Sequence, residues 1–388
     1  MMSGIAELPL HSGRVPAWML RYMRRLGQAI VGAIIDLKGP DGLLNGLSDP
    51  FWFQAFNNVI GMDWDSSGST TVVMWVLKEV SLENPELGFA VLGGKGECMK
   101  KIPEEVGTVE RRLDVDAGRI LALSKVSARA DSAFLQDGYK LYLHSIVVSE
   151  SGRMLVIQQG MNEATGLARR YHVDKLSIEE PHSGIAGIFG EALNATARES
   201  REARKVYLDI LGEGGKHFER MLAESVRMLR GDRTITSFIK SGSEGSRGQD
   251  VKAALKLYRP VKPSRSLIEA VERLGENTPR TDLELAMAPG VGPGLVRALA
   301  LISHLIYRIP TSTRDPVTHP MNPYVYSYAV GGKDRVPYPF NPKVALKAAM
   351  TLEEAIKQAR LGRKEKLQAI SRLKNIIERL EAHEGEQS

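Results

Sequence analysis

Apolar positions Met19, Leu20, Met23, Leu26, Ile30, Ile34 and Ile35 recur at helical spacing, which predicts a helix from Ala17 to about Lys38 behind Pro16. Gly39-Pro40 then predicts a turn, followed by a short aromatic helix around Phe51–Phe56. The run Asp63–Gly68 offers an N-cap for a helix through Val72, Val73, Trp75, Val76 and Leu77. Phe89–Leu92 reads as a short strand running into Gly93-Gly94-Lys95-Gly96. Helices are expected near Pro103–Arg111 and Ala117–Ala130. The plainest β signal follows: Tyr139–Val148 and Arg153–Gln159 flank the turn-like Ser149–Gly152 and predict an antiparallel hairpin. A further helix is expected through Ala164–Tyr171, then a loop over Glu179–Gly184.

From Ile185–Ala192 onward the pattern predicts helix almost throughout, with basic helices at about Asn194–Leu211 and Lys216–Leu229 around Gly212–Gly215. Ser241–Gly248 is small, polar and unpatterned, as a mobile loop would be. Leu283–Tyr307 reads as a helix pair, and the proline-dense stretch Pro310–Pro342 as irregular chain. A long charged helix is expected from about Leu352, with a near-heptad stripe of Ile356, Leu367, Ile370, Leu373, Ile377 and Leu380. The expectation is therefore an α+β, predominantly helical protein. Its divisions are a mixed N-terminal domain (1–190), a helical domain (191–345) with the helix pair at 283–307, and a charged amphipathic helix (346–388).

Charge adds one point. The net charge is +6, and the segment Asn194–Arg280 carries 18 Lys/Arg against 12 Asp/Glu, so the imbalance lies there and the rest is neutral. A local basic excess fits a polyanionic partner or a solvated helical surface. The single cysteine, Cys98, excludes an internal disulfide framework and cysteine-rich metal sites. No apolar run approaches the roughly 20 residues a bilayer span needs, and no signal pattern opens the chain, so a cytoplasmic location and no membrane partner are expected.

The most informative motif is Ala288-Pro289-Gly290-Val291-Gly292-Pro293-Gly294, set between apolar helices. It looks like a helix-hairpin-helix element. Glycines permit a turn and a close approach, and Pro293 suits the first turn of the second helix. The open amides there can hold a nucleic-acid phosphate. Gly290, Val291, Gly292 and Gly294 are the candidate contacts. Such elements often carry Lys or Arg where this chain has Gly294, so Arg297 would supply the local charge. The plain alternative is a packing corner. Base-excision DNA glycosylases place a catalytic Asp after this hairpin. Asp315 lies nearby but a few residues late, without the preceding Gly-Pro, and is expected to form only a turn before Pro316.

Other polar groups gather around the predicted β-hairpin. Asp137, His144, Gln159, Arg170, His172 and His182 are the candidates for a catalytic cleft, since His and carboxylates suit acid–base or metal-assisted phosphodiester chemistry. No HExxH, DxD or nuclease-type spacing appears, so no metal ligands are assigned, although a divalent cofactor stays open. Gln158-Gln159 at a strand end suits base-edge reading or the pairing of buried backbone equally. Lys95 and Lys333, in two Gly-Gly-Lys strings, are candidate phosphate contacts; neither string is a P-loop, so no ATP or nicotinamide site is expected. Phe51, Trp52, Phe53, Phe56, Trp64 and Trp75 are expected in the core, and Cys98 is read as structural.

Several strings together resemble a prokaryotic family prominent in archaea, domain of unknown function 763. They are Gly4–Arg14, Leu47–Ala55, Asp137-Gly138-Tyr139, Gln158–Asn162, Ala168–His172, Glu180–Gly184, the glycine hairpin and Gly331–Asp334, so the resemblance spans about Gly4–Pro339. Val330 stands where some members have His, and Leu143 replaces one of two neighbouring histidines, leaving His144. The resemblance implies a shared site but no established activity. The expected function is a nucleic-acid (DNA, or RNA) binding protein of genome maintenance. A nuclease or glycosylase-like repair enzyme is the alternative, and a scaffold that self-associates or docks a partner through its C-terminal helix is the second.

Overall fold

The computed structural model describes residues 5–10, 15–61, 66–182, 191–229, 258, 263–316, 319–320 and 342–385. Strand β1 (Ile5–Pro9) precedes α1 (Ala17–Ser48), which bends where Gly39 adopts φ 70° ahead of Pro40, at the turn predicted there. Asp49 caps α2 (Pro50–Val59) by accepting from the amides of Phe51 and Trp52. α3 (Ser67–Glu83) leads to β2 (Phe89–Lys95), then α4 (Ile102–Leu113), α5 (Ala117–Arg129) and a π-turn at Ala130–Phe134. β3 (Leu135–Gln136) is followed by β4 (Lys140–Ser149) and β5 (Met154–Asn162), the hairpin read from the sequence.

Two expectations are corrected here. Leu167–Val173 is strand β6, not part of a helix through Ala164–Tyr171. Asn162 accepts from the amides of Ala164 and Thr165, turning the chain back on itself, and β6 then pairs with β5 on one side and β1 on the other. Ladder partners on both edges outweigh the helical preference of Ala and Arg. Likewise Glu191–Asn194, where helix was expected to begin, is strand β7, paired to β3 and to β8 (Ser312–Arg314).

One sheet has the order β2-β4-β5-β6-β1-β9, with β9 (His319–Pro320) parallel to β1 and the other pairs antiparallel; β3, β7 and β8 form a second, small sheet. Phe89, Val91, Leu143, Val147, Leu155 and Ile157 pack one face of the large sheet against α1, α2 and α3. That core also takes in Leu352, Ala355, Ile356, Ala359, Ala369 and Leu373 from α11 (Pro342–Gln358) and α12 (Arg363–Gly385). The C-terminal helical stretch thus divides in two near Leu361-Gly362. The opposite face packs Ala90, Leu92, Ile146, Val148 and Val156 against α4 and α5. A separate core joins α6 (Arg201–Gly212), α7 (Gly215–Leu229), α8 (Arg265–Glu276), α9 (Asp282–Met287) and α10 (Pro293–Leu305) to the π-turn. The fold is α+β and mostly helical. Ser241–Gly248 lies outside the described residues.

Trp52, Phe53 and Phe56 are buried, and Trp52 stacks on Phe56 at 5.5 Å, as expected of core aromatics. Trp75 is 37% exposed and Trp64 lies outside the described residues. Cys98 is exposed on the short helix after β2. Among the described residues no helix is long and apolar enough to cross a membrane.

Candidate functional site

The glycine hairpin joins α9 to α10. Gly290 has φ 86°, a left-handed conformation that a side chain would strain, and Val291 is buried beneath it. Gly292 is extended (φ −138°, ψ 177°) and caps α10, with Pro293 at the first helical position. A Cβ on Gly292 would meet nothing within 4 Å, so backbone geometry does not demand glycine there. Pro289, Gly290, Pro293 and Gly294 are exposed, and no side chain caps the helix start. The amides of Gly294 and Leu295, in the first turn, have no intrahelical acceptor. Arg297 is half-buried, and its Nε donates to Gln136 Oε1 at 2.9 Å while Gln136 Nε2 donates to the Pro293 carbonyl at 2.9 Å. Arg297 is thus anchored to β3. The start of α8 also lies close: Leu267 is 3.8 Å from where a Gly294 Cβ would sit, which brings the 93%-exposed Arg265 to this end.

The six cleft candidates do not meet in one place; strand alternation divides them between the two sheet faces. His144, His182 and Asp137 lie on the α5 side. Ser124 Oγ donates to His144 Nε2 (2.8 Å), and His144 Nδ1 donates to Gln158 Oε1 (2.8 Å). The Gln158 amide nitrogen must therefore be the donor to Asp131 Oδ2 (2.6 Å), which fixes the neutral His144 tautomer. Burial pushes the His144 pKa down to about 4, against the pull of Gln158. His182 donates from Nδ1 to the His172 carbonyl (3.2 Å) and from Nε2 to Asp131 Oδ1 (2.7 Å). Burial opposes its charge, but Asp131 outweighs burial and the His182 pKa is raised.

Beside this chain, Arg169 forms a bidentate pair with Asp315 (2.7 and 2.7 Å) and also reaches Asp137 Oδ2 (3.1 Å) and Glu7 Oε1 (3.1 Å). Tyr171 donates to Asp137 Oδ2 at 2.9 Å. Burial raises the Asp137 pKa to about 6, with Arg169 opposing. Asp315 is therefore not merely a turn residue, as the sequence suggested, but the buried counter-ion of Arg169.

Arg170, His172 and Gln159 lie on the opposite face, under α2 and α3. Arg170 donates to Gln54 Oε1 (3.2 Å), Thr70 Oγ1 (3.4 Å), the Pro50 carbonyl (3.1 Å) and His172 Nε2 (3.0 Å), and its guanidinium stacks 4.1 Å from the Phe53 ring centre. His172 donates from Nδ1 to the Leu47 carbonyl at 2.9 Å. Gln159 is fully buried, and neither its amide oxygen nor its nitrogen has a hydrogen-bond partner. Lys95 is exposed, with its ammonium 5.7 Å from the Tyr142 ring centre. Lys333 lies outside the described residues.

Sequence reading missed Ser124, Asp131, Gln54 and Thr70. Each sits on a helix distant in sequence from the strands it serves, and only Gln54, inside the quoted Leu47–Ala55 string, carried a signal. Among the described residues no three His, Cys, Asp or Glu side chains come together as a metal-binding group. A family model described as a protein of unknown function (DUF763) matches residues 4–340. No match was found among curated proteins or among solved structures.

Proposed function

Since the chain belongs to the family of proteins of unknown function DUF763, we propose from its geometry that it binds nucleic acid, DNA in the first instance, at the backbone phosphates. The observation that carries this reading is the Gly290–Gly294 hairpin, exposed at Gly290, Pro293 and Gly294, which leaves the uncapped start of α10 open. Open amides at the positive end of a helix favour a phosphate. The basic excess between Asn194 and Arg280 supports the same partner. Binding through phosphates is sequence-tolerant and falls steeply with salt as counterions are released.

The test is titration of duplex, single-stranded and branched DNA, and of RNA, across salt. Gly292 gives a cleaner variant than Gly290, because its backbone is extended and the space beyond it is open. Gly292→Val should stay folded and lose at least about tenfold in affinity, roughly 1.4 kcal/mol. Arg297→Ala should weaken binding less and lower the salt slope by about one. A folded Gly292→Val protein that binds like the parent would make the hairpin a packing corner.

A further inference from the structure

A second place on the molecule asks for a ligand. The start of α3 reads Ser66-Ser67-Gly68-Ser69-Thr70. Ser66, at the cap position, makes no capping bond, and its Oγ is buried without a hydrogen-bond partner. Two bonds fasten this turn over the sheet. Tyr142 of β4 hydrogen-bonds Ser67, and Arg170 of β6 donates to Thr70 Oγ1 at 3.4 Å. Between those strands runs β5, where Gln159 stands directly opposite Leu143 on one side and Arg170 on the other. Gln159 therefore shares the sheet face of Arg170 and points at the underside of the turn.

Its isolation sets it apart from its neighbours. Gln158 is equally buried, yet its amide engages His144, Asp131 and the Ser127 carbonyl. Gln54 also has a hydrogen-bond partner in Arg170. Leaving one buried polar group unpaired forfeits its hydration without return, and Gln159 leaves both ends of its amide unpaired.

We propose that the first turn of α3, with Ser66, Gln159, Arg170 and Lys95, is a binding site for a phosphate group. Phosphate oxygens accept hydrogen bonds, and the site offers the Gln159 amide nitrogen, the Ser66 hydroxyl and the positive end of a 17-residue helix, while Arg170, tied to Gln54, Thr70, Pro50 and His172, adds its charge from the neighbouring strand. The Gln159 amide oxygen takes a hydroxyl, as a protonated phosphate or an attached sugar presents. Ser66 and Ser67, each 5% exposed, form the edge that still touches solvent. Lys95, held over the ring of Tyr142, adds a cation on that side. This site is separate from the α9–α10 hairpin and does not depend on it.

The experiment is thermal unfolding and calorimetric titration of the full chain with inorganic phosphate, against chloride at equal ionic strength. The expected result is saturable, one-to-one stabilisation by phosphate. Gln159→Leu should weaken phosphate binding at least about tenfold. In phosphate-free buffer the same variant should be at least as stable as the parent, since it removes an unpaired amide. Gly292→Val should keep the phosphate response, whatever its effect on nucleic acid. Competition by a 5′-phosphorylated oligonucleotide but not its 5′-hydroxyl twin would assign the phosphate to a strand end. Competition by a mononucleotide alone would assign it to a free nucleotide. Absence of any phosphate effect beyond chloride, or a response that Gln159→Leu leaves unchanged, would overturn the proposal and leave water as the partner of Gln159.

Discussion

His144 and Asp137 lie on the same side of the sheet and titrate in opposite senses. His144 binds its proton less tightly folded than unfolded, so its contribution to stability is full above the ordinary value of 6.5 and is lost as pH falls toward about 4. Asp137 binds its proton more tightly folded, so its contribution is full below 3.8 and is lost as pH rises through about 6. In the parent the two changes oppose each other across one window. His144→Asn removes the first, and the stability gap between parent and variant should widen by roughly 2–3 kcal/mol from about pH 4 to pH 6.5. Urea unfolding at several pH values measures it; a constant gap would mean that His144 stays protonated in the folded state. His144 was legible in the sequence as a candidate. Its neutral tautomer was not, because that depends on Ser124 and Gln158 meeting it from two other elements.

At the scale of elements, the instructive case is β6. Ala168-Arg169-Arg170 is three good helix formers in a row with no alternation of apolar with polar, and a helix was expected there. Alternation marks a strand only when one face meets water, and both faces of β6 are covered: Arg169 by Asp315, Glu7 and Asp137, Arg170 by α2 and α3. The hairpin of β4 and β5 was legible because Val and Ile crowd it and a Ser/Gly turn divides it. The glycine hairpin was legible for the same kind of reason, since its turn chemistry is written in consecutive residues. Arg169→Leu would strand three carboxylates around an apolar side chain. Breaking a buried pair from one side costs about 3–5 kcal/mol, and denaturant unfolding at neutral pH should show a loss of that order. A loss well under 1 kcal/mol would mean that water already screens the cluster.

For the whole molecule, α11 and α12 matter most. Of the apolar stripe expected to meet a partner, Ile356 and Leu373 are buried against α1, α2 and their neighbours, as is Leu352 beside them, and Ile370 packs partly there; Leu367 remains 58% exposed, and the side chains of Ile377 and Leu380 lie outside the described residues. A chain ending at Asn341 would uncover that apolar surface on the N-terminal core. It should melt at a lower temperature and self-associate in light scattering, as exposed patches do. A truncated protein with the parent's melting point and mass would show that the pair adds nothing to the core.

The fourfold grip on Arg169 also has a meaning in time. Its partners stand 162, 32 and 146 residues away along the chain, at Glu7, Asp137 and Asp315. During synthesis Glu7 and Asp137 emerge before Arg169, and the bidentate partner, Asp315, follows only after α6 to α10 have been made. Until then the sheet holds a buried arginine short of its closest counter-ion. The contact that completes the cluster is therefore one of long sequence separation, the kind whose loop-closure cost slows folding.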